Sequence, residues 1–456
     1  MLLKRQRQPQ ASKQASKPTH LQPTTPNLLD QPSIYDITTS NTHERSTFNL
    51  GLLPMADEQD IVIVGGGIIG CTTAYYLTRH PSYDPAKHRI ILFEATKIAG
   101  GASGKAGGLL ARWAYPSSIV PLSWRLHDEL AREHSGVERW GYRRVHAGSL
   151  DAQPSAPTSA DDGETGRTDG DETIAEQLRA SGVPEDLTWL DPSTILSYSS
   201  LGSPSNTAQV HPYQFTTSMA SLAAEKGVKI ILGTVTDIQY TTSPLQSTSP
   251  SSNKKGSGTA RAVSGVTYTR TDTSTPQTHP ATTLILTAGP WTPTLLPSLT
   301  IPAHRAHSIV IHPSKPISAH ALFTSLPTGL NPEIYPRPDS TIYACGPTDS
   351  LIPLPSTTAL VEVDHKRCED IRKQISAISP ALRDGEVVTE QACYLPGGGP
   401  WIGPVGKEEG LLVAAGHTCW GIMNAPATGK LVAEMVFEGK AKSASVRSLD
   451  PRRGMW

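Results

Sequence analysis

The chain has 456 residues, of which 37% are hydrophobic and 18% charged, enough apolar material for two to three domains with a hydrophobic core. Its formal net charge of -1 leaves no broad basic surface that would neutralise phosphates, so we expect no nucleic-acid partner. No window of the sequence approaches the roughly 18–20 uninterrupted apolar residues of a membrane helix, so we expect no membrane span. These properties are typical of a soluble enzyme.

Cysteine and histidine patterns predict neither disulfides nor a metal site. The five cysteines are widely spaced and form no C-x-x-C pair, which argues against a disulfide framework or structural zinc and favours a reducing compartment. The fifteen histidines show no H-E-x-x-H or other ligand spacing. We therefore expect no metal and a cytoplasmic location.

Residues 1–57 form an N-terminal extension that is rich in Gln, Ser, Thr and Pro and basic at its start. Such a composition cannot bury enough apolar surface to fold alone. Three interpretations stay open: a disordered tail, an over-extended gene model, since Met55 stands just before the first strand, or a mitochondrial targeting segment. Pro9 and Pro18 weigh against the amphipathic helix that a targeting segment needs.

The first folded motif is "DIVIVGGGIIGCTTAYYLTRH". A short apolar strand at Asp60–Val64 runs into Gly65-x-Gly67-x-x-Gly70, and a helical pattern follows. In such a corner the glycines permit a tight turn, close approach to a pyrophosphate and helix–strand packing. The next strand ends with Glu94, where a carboxylate can accept ribose hydroxyls. A dinucleotide site is predicted, with glycine packing in a nucleotide-free sheet as the alternative.

A second Gly-rich stretch, Ala99–Gly108, follows Glu94. It differs from a P-loop because Ala99 replaces the first Gly, and Ala106 stands where Ser or Thr would hold magnesium. A flexible surface hairpin is the alternative to a cofactor-binding loop.

The remaining chain alternates strand and helix patterns, which predicts a parallel sheet with crossover helices. Segments 151–173 and 241–260 are polar and of low complexity, and they are predicted to be disordered insertions. The predicted cofactor domain is discontinuous, and a second domain is expected to hold an antiparallel sheet. The cofactor domain comprises 58–125, 210–300 and 385–445, and the second domain comprises 126–209 and 301–384.

A third Gly-rich run, "LLVAAGHTCWGIMNAPATGK", places Gly416 and Gly421 between a strand and a new helix. The N-terminus of that helix could face an anionic group, and reduced flavin carries negative charge on its pyrimidine side. NAD enzymes have no obvious use for such a segment, so this run favours FAD.

Five ordered motifs together make the chain resemble the FAD-dependent D-amino-acid-oxidase superfamily, within its glycine- and sarcosine-oxidase-like branch and a fungal subgroup of oxidoreductases. They are the first Gly-rich corner, "GASGKAGGL", "VHPYQFTTSMASLAAEKGVKIILGTVTDI", "LILTAGPWTPTLL" and "GGGPWIGPVG" with the third Gly-rich run. The resemblance covers about residues 59–439. It implies an α/β fold with a Rossmann-type FAD-binding domain on a parallel sheet and a discontinuous α+β substrate domain with an antiparallel sheet.

The resemblance also implies the residues that bind FAD. These are Gly65, Gly67, Ile68, Ile69, Gly70, Glu94, Ala102, Ser103, Lys105, Gly108, Leu109, Val235, Ala288, Gly289, Trp291, Cys393, Gly416, His417, Trp420, Gly421 and Ile422. Cys393 aligns with the cysteine that carries FAD covalently in sarcosine-oxidase relatives. Covalent attachment and a plain buried thiol are both open.

The sequence departs from the resemblance at the substrate site. Relatives hold the substrate carboxylate with a Lys and an Arg, where this chain has Met423 and Leu110, and they place a Lys for oxygen chemistry where this chain has Tyr343 or Ala344. The residues proposed to act in catalysis instead are Arg112, Arg337, His307 (with Arg305 beside it) and Trp420.

The expected reaction is oxidation of a CH–NH bond in a small amine or N-substituted amino acid by hydride transfer to flavin, with oxygen or another acceptor reoxidising it. Three alternatives stay open: a flavin-binding regulatory or trafficking protein with little turnover, an FAD enzyme acting on CH–OH, and an NAD dehydrogenase.

Overall fold

The computed structural model describes residues 58–153, 182–243, 260–406 and 408–455. The predicted extension 1–57 lies outside the described residues, as do residues 154–173 and 244–259 of the two predicted insertions. Residues 151–152, 241–243 and 260, which were predicted to belong to the insertions, lie in strands instead.

The strands and helices are named here in chain order. The strands are β1 (Gln59–Val64), β2 (His88–Glu94), β3 (Leu109–Ala111), β4 (Arg143–Arg144), β5 (His146–Ala152), β6 (Ile195–Gly202), β7 (Thr207–Gln209), β8 (Lys229–Ser243), β9 (Ala260–Arg270), β10 (Pro276–Pro280), β11 (Thr283–Leu286), β12 (Ala303–His312), β13 (His320–Ser325), β14 (Glu333–Pro336), β15 (Ile342–Cys345), β16 (Glu386–Pro396), β17 (Trp401–Pro404), β18 (Glu408–Glu409) and β19 (Leu411–Ala415). The helices are α1 (Ile68–Leu77), α2 (Ala102–Lys105), α3 (Val120–Glu133), α4 (Gly136–Trp140), α5 (Pro212–Ala224), α6 (Thr292–Leu295), α7 (His365–Ser376), α8 (Pro380–Arg383) and α9 (Gly421–Glu438).

The largest sheet has a parallel centre in the order β8-β2-β1-β11-β19. Val62 of β1, for example, is paired with Ile91 on one side and Leu284 on the other. Antiparallel strands extend the sheet at both edges, β9 and β10 beside β8 and β17 beside β19. The parallel sheet predicted from the apolar runs is thereby confirmed.

Both faces of the parallel centre are buried, which explains why its strands are apolar throughout rather than alternating. On one face Ile61 and Ile63 pack with the helices α1, α3, α5 and α9. On the other face Val62 and Val64 pack with residues of β8 and β9.

A second sheet of the described residues is mostly antiparallel, in the order β16-β12-β15-β14-β13-β5-β6. One face carries Ile309, Ile311 and Ile334 and packs against α7. The opposite face carries Tyr335 and Tyr343. Strand β16 pairs with β12 from Ala303↔Pro396 onward, so residues 386–396 lie in this sheet although the sequence boundaries grouped them with the cofactor segment.

Among the described residues, no helix is long and apolar enough to cross a membrane. The same residues contain no group of three His, Cys, Asp or Glu side chains placed to hold a metal ion.

Candidate active site

A cavity of about 520 Å³ opens at the carboxyl ends of the parallel strands. Its walls come from the residues that end or follow β1, β2, β11 and β19, together with the middle of β8. Ligands of open α/β sheets bind at this edge, because the loops that leave the strands diverge there. The volume lies within the range of small-molecule and cofactor sites, about 300–1,000 Å³.

The turn between β1 and α1 forms one wall of the cavity. Gly65 has φ +114°, and a Cβ there would lie 2.6 Å from the carbonyl oxygen of Thr287. Helix α1 has Gly67 at its N-cap, no side-chain cap and no acidic residue in its first turn. Its N-terminal partial positive charge is therefore available to an anionic group in the cavity.

Glu94, at the end of β2, is held by three hydrogen bonds. Its Oε2 accepts from the Gly66 N–H at 2.8 Å, and its Oε1 accepts from the Thr96 N–H at 2.9 Å and the Thr96 hydroxyl at 3.1 Å. These bonds orient a half-buried carboxylate at the cavity wall. Such an oriented acceptor suits the hydroxyls of a ribose.

The second Gly-rich stretch contains the short helix α2 rather than a hairpin, and Gly101, Ala102, Ser103 and Ala106 line the cavity. Ser103 Oγ accepts from the Ile68 N–H at 2.9 Å and so ties this stretch to the start of α1. The stretch therefore lies against the first Gly-rich corner and forms part of the cavity wall.

The third Gly-rich run contributes Gly416, His417, Gly421 and Ile422 to the cavity wall. His417 is buried, and burial lowers the pKa of its imidazole to about 3. Its Nε2 lies 3.1 Å from Thr428 Oγ1. His417 is therefore a neutral group throughout the physiological pH range.

Most residues that the resemblance assigned to FAD line this one cavity. They are Gly65, Gly67, Ile68, Ile69, Glu94, Ala102, Ser103, Val235, Ala288, Gly289, Trp291, Gly416, His417, Gly421 and Ile422. The assigned residues outside the lining are Gly70, Lys105, Gly108, Leu109, Cys393 and Trp420.

The residues outside the lining contact other parts of the protein. A Cβ on Gly70 would lie 2.0 Å from the Gly65 carbonyl oxygen, and one on Gly108 would lie 2.0 Å from that of Val210. Lys105 Nζ donates to the Ala392 carbonyl at 2.8 Å. Trp420 makes an edge contact with Trp113 at 5.4 Å between ring centroids.

His307, a predicted catalytic residue, points away from the cavity. It lies on β12 between Arg305 and Ile309, and its Nε2 accepts from the Asp364 N–H at 3.0 Å. Side chains alternate across a strand, so His307 shares the face that Ile309 packs against α7. Arg305 pairs with Asp349 instead of reaching the site.

The two other predicted arginines also lie outside the cavity wall. Arg337 is buried, with Nη2 donating to the Ala106 carbonyl at 2.9 Å, and burial lowers the pKa of its guanidinium. Arg112 follows β3 and is exposed. Leu110 and Met423 stand at the positions where the resemblance implies carboxylate-binding residues, and both are fully buried in the core.

One wall of the cavity was not predicted from the sequence. Residues 354–358 and 394–396 line it, and Trp291 Nε1 donates to the Pro355 carbonyl at 2.6 Å. These segments contain no glycine pattern or charged motif. Only pairing between distant strands and loops brings them to the site.

Comparison with known proteins assigns the family. The model of the family described as FAD dependent oxidoreductase matches residues 60–435. The chain is 34% identical to the Saccharomyces cerevisiae protein named "Putative oxidoreductase TDA3", over 87% of this chain and 94% of that protein. It is also 34% identical to "Putative oxidoreductase C1F5.03c" of Schizosaccharomyces pombe, over 87% of this chain and 99% of that protein.

Among solved structures, glycine oxidase from Geobacillus kaustophilus superposes with a TM-score of 0.62 at 21% identity, covering 88% of this chain and all of that one. This likeness concerns the fold. The chain belongs to the family of FAD-dependent oxidoreductases, and it is an enzyme of that class.

The cavity suits FAD. At Gly421 an added Cβ would meet nothing closer than His417 Cβ at 3.8 Å, and at Gly289 it would meet nothing within 4 Å. Protein packing alone therefore leaves space beside these glycines. With the start of α1, which carries no acidic residue in its first turn, and the oriented Glu94, that space would accommodate a dinucleotide.

Proposed function

We propose that this enzyme oxidises the CH–NH bond of a small amine or N-substituted amino acid. The observation that carries the proposal is the continuous cavity that joins the α1 corner, Glu94 and the start of α9 in a chain of this family. When bound, FAD supplies the two-electron acceptor for a hydride from the substrate C–H bond.

The chain's own contribution is position and electrostatics. Helix α9 begins at Gly421 in the cavity wall, so its N-terminal N–H groups would stabilise negative charge nearby. His417 stays uncharged because it is buried, and it therefore adds no competing titration beside the substrate. The reaction requires no acid–base pair from the protein.

FAD is proposed to be held without a covalent bond. Burial raises the pKa of the Cys393 thiol to about 11, so the nucleophilic thiolate is scarce at neutral pH. Cys393 also lies outside the cavity lining, although its neighbours Tyr394 and Leu395 belong to it.

A flavin-binding protein with little turnover is the second candidate. It is favoured by the position of the four predicted catalytic residues, because none of them lines the cavity. Such a protein would turn over slowly, and its bound flavin would serve regulation or trafficking.

The test begins with the absorbance spectrum of the purified protein, followed by acid precipitation. Flavin in the supernatant is the expected result, whereas yellow colour retained in the pellet would show attachment to the chain. Anaerobic mixing with a panel of amines and N-methyl amino acids should then bleach the flavin band. A protein that takes up no FAD would overturn the proposal, and a flavin that no member of the panel reduces would favour the second candidate.

A further inference from the structure

Glu333 lies on the face of the seven-stranded sheet that covers the Gly-rich stretch. Glu333 and Tyr335 lie two residues apart on β14 and share a face, while Ile334 between them is buried on the other. A Cβ on Gly107 would lie 2.2 Å from Tyr335 Cδ2, so this face packs directly on the stretch that ends at Gly108.

Aromatic rings connect this carboxylate to the cavity. Tyr335 contacts Phe323 at 5.9 Å between ring centroids, Phe323 contacts Trp113 at 6.2 Å, and Trp113 contacts Trp420 at 5.4 Å. Beyond Trp420 stands Tyr115, whose hydroxyl lies 3.1 Å from Oγ1 of the cavity residue Thr418. We call these five rings, of Tyr335, Phe323, Trp113, Trp420 and Tyr115, the aromatic wall.

Part of the aromatic wall is exposed to solvent. Trp113 is 41% exposed and Tyr115 is 50% exposed, whereas Tyr335 is buried. Both exposed rings make edge contacts with Trp420, so they form one accessible aromatic patch. A small molecule could therefore reach the wall from solvent.

Glu333 has no cationic partner in the described part of the chain. Its Oε2 accepts from the Tyr335 hydroxyl and lies 3.9 Å from Cys345 Sγ, and both of these groups are neutral donors. Burial raises the pKa of the Glu333 carboxyl, and none of the groups that affect this pKa is a cation. At neutral pH such a carboxyl group is stabilised either by taking up a proton or by a ligand that supplies the opposite charge.

Glu333 lies close enough to the cavity to influence the cavity residue Cys419. Burial is the main cause of the raised pKa of the Cys419 thiol, and Glu333 contributes to that rise. Cys419 lines the cavity. A carboxylate and electron-rich ring faces together attract an organic cation and repel an anion.

We propose that Glu333 and the aromatic wall bind the ammonium group of a substrate that carries no carboxylate. This inference rests on the proposed function and narrows its substrate class from amines and amino acids to cationic amines.

The experiment compares two ligands matched in chain length on the FAD-loaded enzyme under anaerobic conditions. Butylammonium and butyrate are titrated by calorimetry, which reads heat of binding and needs no turnover. Butylammonium is expected to bind at least about tenfold more tightly than butyrate. Equal affinities, or tighter binding of butyrate, would overturn the inference while leaving FAD-dependent amine oxidation intact.

Variants locate the binding. Glu333→Gln removes the charge and should weaken butylammonium binding by at least about tenfold, while Glu386→Gln, an exposed carboxylate of the same sheet, should change nothing. Retention of FAD, read from absorbance, shows that each variant is folded. Unchanged butylammonium affinity in a folded Glu333→Gln protein would exclude this carboxylate. Because the comparison of the two ligands uses the unaltered enzyme, it decides the substrate charge even if this variant does not fold.

Discussion

At the scale of single residues, the site depends on polar groups whose orientation is set by neighbours. Glu94 illustrates this, because hydrogen bonds from Gly66 and Thr96 hold its carboxylate against the cavity. His417 shows the converse: it is a buried imidazole whose hydrogen-bond partner, Thr428, is itself buried. Glu94 would act through its charge, whereas His417 stays neutral.

Glu94→Gln is expected to weaken FAD binding about 10- to 100-fold, because hydrogen bonds to a charged acceptor contribute about 1.5–3 kcal/mol each. The dissociation constant is measured by titrating the flavin-free protein with FAD and following flavin fluorescence. Glu409→Gln, an exposed glutamate on β18, is the matched control and should bind FAD like the wild type. Equal dissociation constants for the two variants would show that Glu94 only stabilises the turn between β1 and α1 and does not bind FAD.

His417→Gln is expected to make the folded enzyme less sensitive to acid. Burial lowers the pKa of His417 to about 3, below the ordinary value of about 6.5 for histidine. The unfolded chain therefore binds this proton more readily, so the stability that His417 contributes is complete above pH 6.5 and falls as the pH drops. At pH 5 the loss from this one group is about 2 kcal/mol.

Urea unfolding of the FAD-saturated wild type and variant at pH 7.5 and pH 5 measures this loss. The difference between the two proteins should change by about that amount between the two pH values. A difference that is independent of pH would mean that His417 is accessible to protons in the folded state.

At the scale of elements, α3 supplies a hydrogen bond that the backbone of α9 cannot make. Pro426 lies inside α9 and has no N–H to donate to the carbonyl of Ile422, four residues earlier. His127 Nε2 of α3 lies 3.1 Å from that carbonyl oxygen and donates to it. Ser123 similarly donates to the Met423 carbonyl at 2.6 Å and accepts from the Ala427 N–H at 3.1 Å. The two helices thus share hydrogen bonds at the start of α9, beside the cavity.

His127→Leu should cost about 1–3 kcal/mol of unfolding free energy, because it leaves the buried carbonyl of Ile422 without a donor. The cost should shrink in a Pro426→Ala background, where residue 426 regains an N–H that can bond to Ile422. Urea unfolding of the wild type, both single variants and the double variant gives the coupling energy of this cycle. Additive effects would contradict the shared-carbonyl account.

At the scale of the whole molecule, the cavity collects residues from distant parts of the chain. Gly65 and Gly421 are more than 350 positions apart and both line it. Lys105 and Ala392 join the Gly-rich stretch to β16 of the other sheet. A cofactor in this cavity would therefore stabilise the folded state as a unit.

FAD at a hundredfold excess over its dissociation constant should raise the free energy of unfolding by about 2.7 kcal/mol. FMN at the same concentration should stabilise the protein less, because it lacks the adenosine half that would reach Glu94 and the start of α1. Urea unfolding with either flavin, and with none, makes the comparison. Equal stabilisation by FMN and FAD would place the binding energy outside the first Gly-rich corner.

The sequence alone determined the parallel sheet and the first corner, because both depend on local patterns. A strand buried on both faces reads as an apolar run, and a tight turn beside a pyrophosphate requires glycines at set intervals. The positions of Gly65, Gly67 and Glu94 in the cavity wall were therefore predictable from spacing. So were Gly416 and Gly421, with the help of the family resemblance.

Which side chains of the second sheet face the cavity depends on the three-dimensional packing of the chain. His307 and Ser308 are neighbours in sequence, yet they lie on opposite faces of β12. The pairing of β12 with β15 and β16 sets which of these faces is turned toward the cavity. Glu333 carried no motif, and its surroundings arise from strand register and from the approach of Gly107 to Tyr335. Register and packing are long-range properties, so a local reading of residue types could not supply them.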